Sequence, residues 1–172
     1  YVGWTVVTKV NVGSARISGA EFNFNRTLDF LPGWARYLAI NANGTTLHLQ
    51  GANGADFNRF ISRTGNFSLS WNRSPISARV NFNYRGRQRR GIVATGCSIE
   101  PNTYNWGSKR LYIDVNADYV LSRRFTLFGS MRNINDQTED SKIYGPNTPA
   151  HAQFRQREDF GSLWTVGLKG TF

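Results

Sequence analysis

A chain of 172 residues with 21 Lys+Arg against 11 Asp+Glu, a formal charge of +10, is long enough for one domain and favours anionic partners: nucleic acid, lipid phosphates or an acidic solute. A mean hydropathy of −0.45 and the lack of any run of about 20 apolar residues exclude a transmembrane helix, but not membrane-spanning strands, whose segments of about 10 residues merely alternate in polarity. The lone cysteine, Cys97, excludes an internal disulfide framework and a cysteine-cluster metal site.

Val2 to Val10 places Val2, Trp4, Val6 and Val10 on one face and Thr5 and Lys9 on the other, the period of a strand. After a turn at Asn11–Gly13, Ala15 to Leu28 sets Ala20, Phe22, Phe24 and Leu28 against Glu21, Asn23 and Asn25. Ile17 is out of phase, and a bulge at Gly19 is expected to reset the face. Beyond the turn Asp29–Gly33, Trp34 to Leu49 is predicted as a third strand, and a polar loop covers Gln50 to Arg59.

Ile61 to Trp71 alternates Phe67, Leu69 and Trp71 with Asn66, Ser68 and Ser70. Past Asn72–Pro75 comes the clearest strand, Ile76 to Arg85, with Ile76, Ala78, Val80, Phe82 and Tyr84 opposite Ser77, Arg79, Asn81, Asn83 and Arg85. Gly86 to Ser108 is predicted as a long irregular loop. Leu111 to Leu121 and Phe125 to Met131 are two further strands around a Ser122-Arg123 turn, and a longer loop, Asn133 to Gly161, leads to Ser162–Phe172. There Trp164, Val166, Leu168, Gly170 and Phe172 alternate with Thr165, Gly167, Lys169 and Thr171.

About eight strands with no 3.6-residue periodicity make the chain all-β. One face of each strand is apolar and the other carries Asn, Ser, Thr, Asp and Arg, which suits a wet lumen better than a protein core. The turns at 29–33, 72–75 and 122–123 are short and share one end, whereas the loops at 50–60, 86–108 and 133–161 are long and share the other; Asn11–Gly13 is an exception. These features predict an antiparallel up-and-down transmembrane β-barrel. The competing architecture is a soluble sandwich that buries its apolar faces against each other. Trp34, Trp71, Tyr119 and Phe125, at the short-turn ends, would form an interfacial aromatic girdle.

Several segments resemble the carboxy-terminal part of TonB-dependent outer-membrane receptors. They are ARISGAEFNF at 15–24, FISRTGNFSLSW at 60–71, ARVNFNYRGRQR at 78–89, YIDVNADYVLSRRFTLFGSMRNINDQ at 112–137, with its Arg-Asn-Ile-Asn-Asp stretch, and the terminal WTVGLKGTF. The resemblance implies a barrel of about 22 strands enclosing a plug. This chain would be the carboxy-terminal portion of that barrel, with the plug domain and the TonB-contacting motif elsewhere. It further implies a multi-pass location in the outer membrane of a Gram-negative-type bacterium with a periplasmic carboxy terminus, and import of a scarce solute coupled through TonB. The expected partners are outer-membrane lipid and lipopolysaccharide, TonB and the plug, the barrel-assembly machinery, and a solute the residues do not identify. By the same resemblance Trp164, Val166, Leu168 and Phe172 form the signal read by the assembly machinery. Tyr1 opens inside a strand-like run with no signal-peptide pattern before it, which also suggests part of a longer polypeptide.

Arg79, Arg85, Arg132, Lys9, Glu21, Asp114, Asp118 and Lys169 are expected to face the lumen, holding a plug by ion pairs or lining the solute path, with Arg85 and Arg132 nearest the outer end. Arg85, Arg87, Arg89 and Arg90 form the densest charge cluster, and Arg87, Arg89 and Arg90 are candidate contacts for lipopolysaccharide phosphates or an anionic solute, against the plainer reading of a solvated loop. No catalytic constellation is found. His48 and His151 lie far apart in sequence, Cys97 has no activating neighbour, and Glu139-Asp140 is weak as a calcium pair. No enzyme activity, metal or cofactor is expected. Two alternatives remain: a complete eight-stranded outer-membrane barrel with a structural or adhesion role, and a soluble basic nucleic-acid-binding β-module.

Overall fold

A computed structural model describes Gly3 and residues 14–51, 57–94, 96 and 99–171. The predicted strand Val2–Val10 apart from Gly3 and the turn Asn11–Gly13, together with Cys97 and Phe172, lie outside the described residues, and so does Lys9.

The described chain is all-β and antiparallel, without an α-helix. Seven strands make one sheet in the order β1 (Ala15–Thr27), β2 (Leu38–Gly51), β3 (Arg63–Arg73), β4 (Ile76–Arg85), β7 (Arg110–Val120), β8 (Phe125–Arg132), β11 (Leu163–Gly170). This is a meander, the arrangement that short turns between alternating strands enforce. β1 and β11 are its two outer strands.

The register carries the alternation across the whole sheet. Apolar rows run Phe24–Ala42–Phe67–Phe82–Ile113, then Ile40–Leu69–Val80–Val115–Met131–Trp164, then Leu38–Trp71–Ala78–Ala117–Gly129–Val166. On the opposite face the rows read Asn23–Asn43–Asn66–Asn83–Tyr112 and Asn25–Asn41–Ser68–Asn81–Asp114. A slip of one residue would exchange the two faces, so the pattern pins the register.

The predicted strands hold with adjustments. Gly33–Tyr37 is a 3-10 turn, so β2 begins at Leu38 rather than Trp34, and β3 begins at Arg63 rather than Ile61. The bulge expected at Gly19 does not occur. β1 and β2 pair without interruption from Ala15↔Gly51 to Thr27↔Ala39. Gly19 instead makes room for a neighbour, since a Cβ there would lie 2.6 Å from Leu47 Cδ2. Ile17, Leu47 and Leu49 therefore put apolar side chains on the otherwise polar face at the long-loop end.

The larger correction concerns the loops 86–108 and 133–161, which form a second sheet. Each supplies a hairpin: β5 (Gln88–Ile92) with β6 (Tyr104–Gly107), and β9 (Glu139–Tyr144) with β10 (Phe154–Glu158); β6 pairs with β9. The order β10-β9-β6-β5 repeats the order β11-β8-β7-β4 of the strands they extend. The second sheet thus prolongs the first beyond its long-loop end. No strand of one packs extensively across a strand of the other.

No hydrophobic residue is buried among those described. Folded soluble domains bury apolar side chains in a core. Here Phe22, Trp164 (66% exposed) and Val166 (76% exposed) stand in the open, and the inner rows of their face, such as Val80, Phe82 and Val115, are half-exposed. At the short-turn end, Trp71 Nε1 donates to the Trp34 carbonyl at 3.1 Å and Tyr37 meets Trp71 edge-on at 6.4 Å, with Arg73 over the Tyr37 ring at 5.3 Å.

Candidate functional site

The arginine cluster 85–90 sits where the two sheets join, and the backbone there divides it between two faces. Gly86 is buried, its N–H donates to the Arg63 carbonyl at 2.8 Å, and a Cβ would lie 2.9 Å from that oxygen. The pairing keeps one register through the junction, from Arg85↔Arg110 to Gln88↔Gly107, and Arg85 Nη2 reaches Gln88 Oε1 at 3.1 Å on the polar side. Arg90 lies on that side too: it crosses Gly107 and donates to Ser141 Oγ at 3.1 Å. Directly across from Arg85 in the register is Arg110, bound to Glu139, whose Oε1 also accepts from Tyr112 Oη at 2.8 Å. Gln88 Nε2 ties the group to the Arg59 carbonyl at 2.8 Å.

Arg87 and Arg89 occupy the other face, the side on which the first sheet is apolar. Arg87 stacks on Tyr144 at 4.7 Å and on Trp106 at 5.6 Å, and these two rings meet edge-on at 6.2 Å. Arg89 lies over Tyr104 at 4.9 Å. A cavity of about 470 Å³ opens beside them, lined by Arg87, Trp106, Lys109, Asp140, Lys142 and Tyr144. The two oxygens of Asp140 accept from Arg157 Nε at 2.7 Å and Nη2 at 2.9 Å, and the carboxylate also attracts Lys142. That hydrogen-bonded guanidinium holds the Asp140 carboxyl below its ordinary range. Glu139 and Asp140 thus serve two different arginines, which leaves neither free to act with the other on a cation; no group of three metal-ligating side chains occurs among the described residues.

The other predicted residues lie on the polar face but do not converge. Glu21 stands on β1. Arg79 lines a polar trough of about 460 Å³ with Asn25, Asn41, Asn66, Ser68, Asn81 and Asn83, and shares a cavity of about 230 Å³ with Asp118. Asp118 accepts from Lys169 Nζ at 2.7 Å, and Lys169 also sits 4.8 Å from the Phe128 ring centre. Asp114 is engaged by Asn133 and Asn83, and Arg132 is exposed opposite Leu163. Trp164, Val166 and Leu168 lie in the apolar rows, exposed on the outer strand β11.

Sequence reasoning missed Arg110, Tyr112, Trp106, Lys109, Lys142 and Tyr144, and weighed Glu139 only as half of a weak calcium pair. Arg110 had a usable signal, since it heads the alternation of β7 and pairs with Arg85 once the β4–β7 register is drawn. The Arg-Asn-Ile-Asn-Asp stretch has a structural role. Asn135 Oδ1 accepts the Ile113 N–H at 3.0 Å and its Nδ2 donates to the Leu111 carbonyl at 2.8 Å, replacing ladder bonds where β8 leaves β7. Compared with protein-family models, curated proteins and solved structures, the chain has no match.

Proposed function

We propose that this chain is membrane-spanning wall of an outer-membrane β-barrel, the carboxy-terminal part of a TonB-dependent receptor that imports a solute. The observation that carries the membrane reading is the face with no partner: a seven-stranded sheet whose apolar rows are exposed or half-exposed, in a chain with no buried apolar side chain among its described residues. In water such a face is an aggregation hazard. Acyl chains are the occupant that fits, because the face ends in Trp34, Tyr37, Trp71 and Tyr119 at the short-turn end and meets cationic side chains, Arg87, Lys109 and Lys142, at the other. The Asn-rich opposite face would then line a hydrated interior.

Under this reading the strands β1 to β4, β7, β8 and β11 cross the bilayer, and the second sheet rises outside it. Arg87, Lys109 and Lys142 lie at headgroup height, where lipopolysaccharide phosphates are the available anions. Arg79, Asp118 and Lys169 face a plug or the solute path. The TonB contact and the plug belong to other parts of the polypeptide, and β11 pairs with the first barrel strand. The resemblance of the segments around 15–24, 60–89, 112–137 and 164–172 supports the receptor assignment within the barrel class.

The test is fractionation of the native protein and its intact mass. Recovery in the outer membrane, extractable only with detergent, on a polypeptide much heavier than 19.4 kDa is the expected result. A mature mass near 19.4 kDa would instead fit a complete small barrel, and detergent-free solubility would reject the membrane reading altogether.

A further inference from the structure

We propose that the polar-face junction between the two sheets is a binding site for a small oxyanion group, held by Arg85, Arg90 and Arg110. The site is built from side chains at that junction and does not depend on what covers the apolar face.

Arg85 and Arg110 stand directly opposite each other on β4 and β7. Like charges in that position destabilise an antiparallel pair. Arg90 adds a third guanidinium to the same small cavity. Against these three, Glu139 binds Arg110 and accepts from Tyr112, and Glu158 attracts Arg110 without a direct bond to it. Asp140 also borders the cavity, but both its oxygens are committed to Arg157. The junction therefore concentrates positive charge in excess of its internal counter-charge.

Two further features point to an occupant. Arg85 Nε is buried and has no hydrogen-bond partner, an arrangement that is unfavourable for a buried donor and rare in folded proteins. Gly107 forms a cradle: a Cβ at that position would lie 3.2 Å from Arg90 Nη2 and 3.3 Å from its Nε, so a side chain there would push the guanidinium aside. The cavity between these groups measures about 10 Å³. That is room for about one water-sized atom, hence one oxygen of a carboxylate or phosphate rather than a whole molecule. Planar guanidinium forks are the donors that suit such an oxygen.

The experiment measures the urea midpoint of the intact protein in detergent at constant ionic strength, titrated with acetate and separately with inorganic phosphate. Anything that binds only the folded state raises the midpoint with a saturable dependence. The expected result is a saturable rise with at least one of the two anions. The better one identifies carboxylate or phosphate as the preferred group. Arg85→Gln and Arg90→Gln should each raise the half-saturating concentration at least tenfold, whereas Arg87→Gln, on the opposite face, should leave it unchanged. A merely structural Arg85 is distinguished in the anion-free sample, where Arg85→Gln should hold or raise the midpoint because repulsion from Arg110 is relieved. Absence of saturable behaviour, equal losses in Arg85→Gln and Arg87→Gln, or a lower anion-free midpoint in Arg85→Gln would overturn the proposal.

Discussion

Asp114 Oδ1 accepts the backbone N–H of Asn133 at 2.9 Å, at the point where β8 stops pairing with β7. Its second oxygen accepts from Asn83 Nδ2 at 3.1 Å, on the strand to the other side. Asn133, in the left-handed region at φ 53°, continues the network through its own amide to Gln137 and to the Gly161 carbonyl at 3.0 Å. One carboxylate thus fastens three strands and the start of the long excursion that ends at β11. Its neighbours take up part of the hydrogen-bonding capacity of a residue expected to face a plug or a solute.

Hydrogen bonds to a charged acceptor contribute about 1.5–3 kcal/mol each way of counting, so Asp114→Ala should destabilise the chain by roughly that amount. Urea unfolding followed by tryptophan fluorescence measures it. A midpoint equal to wild type would return Asp114 to the pool of residues free for transport.

Gly167 owes its identity to Phe128. A Cβ at Gly167 would lie 2.6 Å from two carbons of the Phe128 ring, which lies across the strand on the polar face. Gly167→Val should displace that ring and disturb the Lys169 contact, with an overpacking cost of about 1–3 kcal/mol. Gly129, on the apolar face, has nothing within 4 Å of its would-be Cβ, so Gly129→Ala should be tolerated. The pair of unfolding midpoints decides whether crowding, rather than glycine in a strand, is responsible.

The Asp140–Arg157 pair makes a pH prediction. Its folded carboxyl is held below the ordinary range by the Arg157 hydrogen bonds. The folded state therefore binds this proton less readily than the unfolded chain does. The stabilisation is present above the unfolded value of about 3.9 and is lost as pH falls through the lower folded value. NMR titration of Asp140 should show a midpoint below 3.9 that moves upward in Arg157→Gln. No movement would place the cause elsewhere.

The membrane reading separates adjacent residues of one strand. Val166 belongs to the exposed apolar row and Thr165 to the polar row of β11. An arginine facing acyl chains near the bilayer midplane costs about 2–4 kcal/mol, but one facing a hydrated interior does not. Val166→Arg should lower the outer-membrane level of the protein, and Thr165→Arg should leave it near wild type. Equal levels in the two variants would remove lipid from the apolar face.

What the amino-acid sequence determined alone was the set of two-faced strands. Ile76–Arg85 and Leu111–Leu121 could be read residue by residue because the side-chain period of a strand is two and one face is apolar throughout. The same signal was silent for Gln88–Ile92 and Glu139–Tyr144, whose strands are short and without a continuous apolar face, so they passed for loop. It also misread Gly19, where Ile17, Leu47 and Leu49 gather on the polar face without any change of register. Only the tertiary structure decided which charges meet. The junction after Gly86 puts Arg87 on one face and leaves Arg85 and Arg90 on the other, and strand pairing brings Arg110 opposite Arg85 from across a long excursion. Periodicity is local and survives in one dimension. Register between distant strands depends on every hydrogen bond of the ladder at once, and it is there that a run of arginines became two different surfaces.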